Sequence, residues 1–88
     1  MEYLAYKIPV YEYELGWGNK IDDFKVCLSY DECIAFKHNF NKQNNLDITP
    51  DWYMIVKGEP IAMGISEAQL NYLVEHKSVW LSELKIVK

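Results

Sequence analysis

Asp51-Trp52-Tyr53-Met54-Ile55-Val56-Lys57-Gly58-Glu59-Pro60-Ile61-Ala62-Met63-Gly64-Ile65 is the stretch that decides the fold. The run to Val56 is aromatic, aliphatic and β-branched. Lys57-Gly58-Glu59-Pro60 interrupts it with turn chemistry, because Gly allows a positive φ and Pro has no N–H for a ladder. The apolar pattern resumes at Ile61 and runs to Ile65. This predicts two strands joined by a tight turn, with the rest of the chain packed on that hairpin or paired with it. Trp52, Met54 and Val56 share one face and are expected to meet the helices, while Tyr53 and Ile55 share the other.

Upstream, Ser29-Tyr30-Asp31-Glu32 has the form of a capping box. Leu28 and Cys33 are placed as its hydrophobic staple. The helix is predicted to run to about Asn41, with Tyr30, Cys33, Phe36 and Phe40 on one face. Asn44-Asn45, Asp47 and Pro50 mark a polar connection. Before the helix, Phe24–Leu28 reads as a strand. Gly16-Trp17-Gly18-Asn19-Lys20 and Ile21-Asp22-Asp23 read as a loop. Residues 3 to 15 alternate at period two, with Leu4, Tyr6, Ile8 and Val10 on one face. Pro9 predicts an edge position or a bulge. Beyond Val10 the strand is expected to project past the core, with Tyr11 and Tyr13 on one side and Glu12 and Glu14 on the other.

Downstream, Ser66-Glu67-Ala68-Gln69 is a second capping box, with Ile65 and Leu70 as the staple. Leu70, Leu73 and Val74 form the stripe of a helix ending near Lys77. Val79–Val87 alternates Trp80, Ser82, Leu84 and Ile86 and reads as a last strand. The order ββαββαβ predicts a single α+β domain over residues 1–88. Its sheet is largely antiparallel, of four to five strands, with two helices packed on one face.

The chain carries 9 basic and 13 acidic residues, for a net charge of −4. Every basic residue is Lys. Without Arg there is no planar fork for phosphates or guanine edges, which argues against nucleic-acid binding. No apolar run approaches the roughly 18 residues of a membrane span. Met1-Glu2-Tyr3 lacks the basic start of a signal peptide, so a cytoplasmic protein without a membrane partner is expected. Cys27 and Cys33 suit a reducing compartment as free thiols. With His38 they do not have zinc-site spacing, and no metal or cofactor is expected.

No catalytic constellation is present. There is no Gly-rich phosphate loop, nucleophile elbow or helical zinc motif, so an enzyme is not expected. His38 and His76 fall at exposed helical positions. Glu12 and Glu14 point to the same side of a strand and could in principle hold a proton or a cation. An exposed strand face is the simpler reading. Asp22-Asp23 reads as turn chemistry.

The aromatic residues are more informative. Tyr11, Tyr13, Trp17, Trp52 and Tyr53 are too many to bury in a core this small. Tyr and Trp join a broad apolar face to a polar tip and are enriched at interface hot spots. Trp17, between two glycines, either contacts a partner or folds back as a lid on its own hairpin. Trp80 reads as core or self-association surface. The candidate partner-binding set is Tyr11, Glu12, Tyr13, Glu14, Trp17 and Tyr53. The acids would steer towards a basic partner and the aromatics would supply affinity.

Tyr-Glu-Tyr-Glu-Leu-Gly-Trp-Gly (11–18), the capped helix and Pro-Asp-Trp-Tyr-Met (50–54) resemble the small, uncharacterised accessory proteins of bacteriophages. The Arg-free composition, rich in Lys, Asn, Ile and Tyr, is similar to theirs as well. The resemblance implies a compact domain in the host cytoplasm that binds and blocks a host component, such as a defence protein, as an inhibitor or adaptor. The alternative it implies is a homo-oligomer that sequesters a small signalling molecule such as a nucleotide. Edge strands also allow a homodimer or higher homo-oligomer.

Overall fold

The structure, a computed structural model, describes residues 2–14, 16, 18–43 and 52–88, with only the backbone of Trp52 and Tyr53. The expected polar connection at 44–51 and the side chain of Trp17 lie outside these residues. The elements are β1 (Tyr3–Glu14), β2 (Gly18–Cys27), α1 (Tyr30–Gln43), β3 (Trp52–Val56), β4 (Ile61–Ile65), α2 (Glu67–His76), β5 (Ser78–Trp80) and α3 (Leu81–Leu84). They make an α+β protein built on one five-stranded antiparallel sheet.

β1 is the spine. It pairs with β2 along one side. Along the other side it pairs with β4 through Tyr3–Lys7 and with β3 through Val10–Glu14. β3 and β4 therefore do not form a hairpin with each other. They run in the same direction, end to end, as one interrupted strand beside β1. Lys7 lies opposite Ile61 and Val10 opposite Val56, so Ile8 and Pro9 face the four residues Lys57–Pro60. The turn residues serve a detour: Gly58 takes φ 86° and Pro60 is buried. Pro9 is correspondingly on the central strand and buried, not at an edge. It sits where the neighbouring strand has let go, and there a missing N–H costs least.

β1 and β2 form an antiparallel hairpin, and β2 begins at Gly18 and not at Phe24. Its register shifts between Val10 and Tyr11, where Asp23 and Ile21 are the partners and Asp22 is the extra residue of a bulge. Asp23 is not turn chemistry. Its carboxylate accepts from the Ser82 hydroxyl at 2.6 Å and the Ser82 N–H at 3.3 Å, tying the C-terminal turn to β2. The expected last strand stops at Trp80. Leu81 and Leu84 are both buried at i, i+3 spacing, and the chain turns into α3 to place them.

The two main helices lie on opposite faces of the sheet. Cys33 of α1 packs with the even-numbered β1 residues Ile8 and Val10 and with Cys27 and Val56. Leu73 of α2 packs with the odd-numbered Ala5, and with Val26, Ile65, Val79, Leu81 and Leu84. Successive strand residues face opposite ways, so the expectation of both helices on one face is corrected. Leu28 packs with the Leu73 cluster, so it does not staple Cys33. Val74 is 56% exposed and lies off the α2 stripe.

Both caps form. Ser29 accepts from the Glu32 N–H at 3.1 Å, but Glu32 reaches past the cap to the Leu28 N–H at 3.1 Å. Ser66 and Gln69 make the full reciprocal box. α1 is also fastened to the detour. Asn41 bonds the backbone of Val56, Lys37 donates to the Gly58 carbonyl at 3.0 Å, and the Tyr30 hydroxyl donates to Glu59. Residues 30, 37 and 41 share one helical stripe, so a polar edge of α1 runs alongside Val56–Glu59.

Candidate functional site

The distal halves of three strands form a blade. Tyr11–Glu14 of β1 lies between Gly18–Ile21 of β2 and Trp52–Ile55 of β3. Neither core cluster reaches past Val10 on β1. The molecule is accordingly long, 44 Å against 22 and 19 Å across. Gly16 and Gly18, at φ 89° and 82°, turn the chain at the tip, in a backbone conformation that L side chains rarely adopt.

The alternation read from sequence sets the two faces. One face carries Tyr11 and Tyr13, with Ile55 opposite Tyr11 on β3 and Ile21 opposite it on β2. Tyr11 and Tyr13 are half-buried and Ile21 is 46% exposed. The Lys57 ammonium lies 5.9 Å from the centre of the Tyr11 ring, within cation–π range. The backbone of Tyr53 pairs with Tyr13; its side chain, like all of Trp17, lies outside the described residues. The other face carries Glu12 and Glu14. With Gly18, Asn19 and Lys20 they line a cavity of about 200 Å³. Lys20 is the cross-strand partner of Glu12, so opposite charges face each other there. Met54 and Val56 lie on this side and pack towards α1, as expected.

The structure thus brings Tyr11 and Tyr13 together and Glu12 and Glu14 together, on opposite faces of one strand. Chemically the blade offers ring faces and hydroxyls on one side and a carboxylate-lined groove on the other. Among the described residues no three His, Cys, Asp or Glu side chains gather to hold a metal ion. His38 is exposed. His76 is exposed too, with its ring 4.1 Å from Tyr72 and Nδ1 2.8 Å from the Tyr72 carbonyl oxygen. Among the described residues no helix is long and apolar enough to cross a membrane.

Three arrangements were not visible in the sequence. Trp80 takes the core reading of the two that the sequence offered, but its partners were not legible: it packs edge-on against Phe36 at 6.3 Å, with the Lys25 ammonium 4.5 Å from its ring centre, on the α1 side of the core. Tyr30 and Tyr72 donate to Glu59 and Glu83, and each carboxylate bond holds its phenol above the ordinary range. Cys27 and Cys33 meet. The Cys33 thiol has two acceptors in reach, the Tyr6 carbonyl at 3.6 Å and the Cys27 sulfur. Donated to Cys27, its single proton lowers the Cys27 thiol below its ordinary value and raises its own. The only sequence signal for this meeting was their position on either side of the strand–cap–helix joint.

Compared with protein families, curated proteins and solved structures, the chain gives no match.

Proposed function

We propose that this is a non-enzymatic binding protein that engages a protein partner through the distal blade. The observation that carries the reading is the stretch of β1 beyond Val10, where neither core cluster continues and Tyr11 and Tyr13 share a face. Aromatic rings on a preformed strand offer contact area at small entropic cost, since few rotamers are lost. The carboxylates of the opposite face steer a basic partner and set orientation. With its faces so different, the blade fits a cleft whose two walls differ in the same way. The resemblance to phage accessory proteins makes the partner a host protein, such as a defence component, that is blocked or redirected in the cytoplasm.

The test is capture from host-type lysate by wild type, Tyr11→Ser/Tyr13→Ser and Trp17→Ala, read by mass spectrometry. A protein held by wild type and lost with the tyrosines supports the reading. Equal capture by wild type and the tyrosine variant contradicts it. If nothing is captured, a thermal-shift panel of nucleotides tests the sequestering alternative. A ligand at 100 times its Kd stabilises by about 2.7 kcal/mol.

A further inference from the structure

Cys27 ends β2 and Cys33 lies in the first turns of α1, yet both residues lie beside the same piece of β1. Tyr6 is the cross-strand partner of Cys27, and its carbonyl oxygen lies 3.6 Å from Cys33 Sγ. Both cysteines are free and belong to one buried cluster. Cys27 is only 2% exposed, but it forms part of the wall of an open groove of about 440 Å³ between α1 and the α2–β5 turn. Glu32, Phe36, Asn39 and Lys77 line the same groove. The groove has room for a molecule as small as hydrogen peroxide beside Cys27.

We propose that Cys27 and Cys33 are a peroxide-reactive dithiol that closes to an intramolecular disulfide, with Cys27 as the attacked thiol and Cys33 as the resolving one. In the first step the Cys27 thiolate attacks one oxygen of hydrogen peroxide and the O–O bond breaks. Cys27 becomes a sulfenic acid and hydroxide leaves. In the second step Cys33 sulfur attacks the Cys27 sulfur, the S–O bond breaks and water leaves with the Cys33 proton. The dithiol loses two electrons and the peroxide gains them. The Cys33 S–H is the main group that favours the Cys27 thiolate; burial and the Glu32 charge oppose it, and the Lys25 charge adds a smaller favourable contribution. Both thiols lie in one buried cluster beside Tyr6, and the link requires them to close to the roughly 2.05 Å of a disulfide. The bond would staple the start of α1 to the end of β2 and hold the stripe of Tyr30, Lys37 and Asn41 against the detour.

The experiment treats the whole native chain with hydrogen peroxide, quenches it, then alkylates it in denaturant and measures intact mass. The untreated chain takes two alkyl groups. The treated chain is expected to remain monomeric, take none, lose two hydrogens and yield a Cys27–Cys33 linked peptide. Its thermal midpoint should rise. Two alkyl groups after an exposure that fully oxidises free cysteine would overturn the proposal. So would a disulfide found only between chains, or overoxidation of Cys27 without a link. Cys33→Ser, if it folds, should stop at a Cys27 sulfenic acid that dimedone traps. The wild-type reading decides the matter without that variant. It is also independent of partner binding, so its failure leaves the blade reading untouched.

Discussion

Asn41 holds Val56 by both backbone groups: its Oδ1 accepts from the Val56 N–H at 2.8 Å and its Nδ2 donates to the Val56 carbonyl at 2.9 Å. A side-chain amide thus stands where another strand would pair. Open edges invite pairing between chains, and here a helix residue closes the end of β3. Asn41→Ala removes two hydrogen bonds of about 0.5–1.5 kcal/mol each. It should lower the denaturation free energy by roughly 1–3 kcal/mol and increase concentration-dependent aggregation. Asn41→Asp keeps the acceptor and loses the donor, so it should fall between the two. Urea denaturation with light scattering checks both effects.

Gly58 has φ 86° and open space where a Cβ would be. Gly58→Ala is therefore a nearly pure test of backbone conformation. A left-handed conformation costs an L-residue roughly 1–2 kcal/mol, so the variant should lose about that much stability. An unchanged denaturation midpoint would mean that the detour does not need this φ.

The Tyr30 and Tyr72 hydrogen bonds to Glu59 and Glu83 give a pH dependence with a definite sign. Both phenols are raised in the folded state, first by the hydrogen bond to the carboxylate and then by desolvation. Their contribution is fully present below the unfolded phenol value of about 10. It is lost as pH rises through the higher folded values. An ultraviolet alkaline titration should show late phenols from Tyr30 and Tyr72. Tyr30→Phe should remove one of them. A single transition at the ordinary phenol value would contradict both bonds.

The two faces of the blade should fail differently. Tyr11→Ser/Tyr13→Ser should weaken a captured partner at least tenfold, which is about 1.4 kcal/mol, mainly through faster dissociation. Glu12→Gln/Glu14→Gln should slow association and flatten its salt dependence. Surface plasmon resonance at two ionic strengths separates the effects.

What the sequence made legible was mostly local. The period-two alternation of Tyr11–Glu14 and the two caps depend on neighbours a few residues away, and they formed; the loop expected over 16–23 gave way to β2 from Gly18 onward. The Trp52–Ile65 stretch misled because Gly58 and Pro60 serve a detour as well as a hairpin. The choice was made by distant residues: Pro9, which leaves β1 a donor short, and Asn41, which holds Val56. The placement of the helices on two faces did leave a trace. Ile8, Pro9 and Val10 are successive buried residues, as a strand covered on both faces requires. In Trp80–Leu84 the i, i+3 pair Leu81 and Leu84 outweighed an alternation of Trp80, Ser82 and Leu84 that fitted a strand equally well. The partnership of Cys27 and Cys33 needed the docking of α1 on β1, which no local pattern specifies.

The projecting blade depends on Trp52–Ile65 lying along β1 as one interrupted strand. Nuclear Overhauser contacts between backbone protons test this directly. The account predicts cross-strand contacts from Val10 to Val56 and from Ala5 to Met63 in the same molecule, with no ladder joining β3 to β4. A ladder linking Val56 to Ile61 and Met54 to Met63, with the β1 contacts to β3 missing, would restore the simple hairpin. The three-stranded blade would then no longer exist as described.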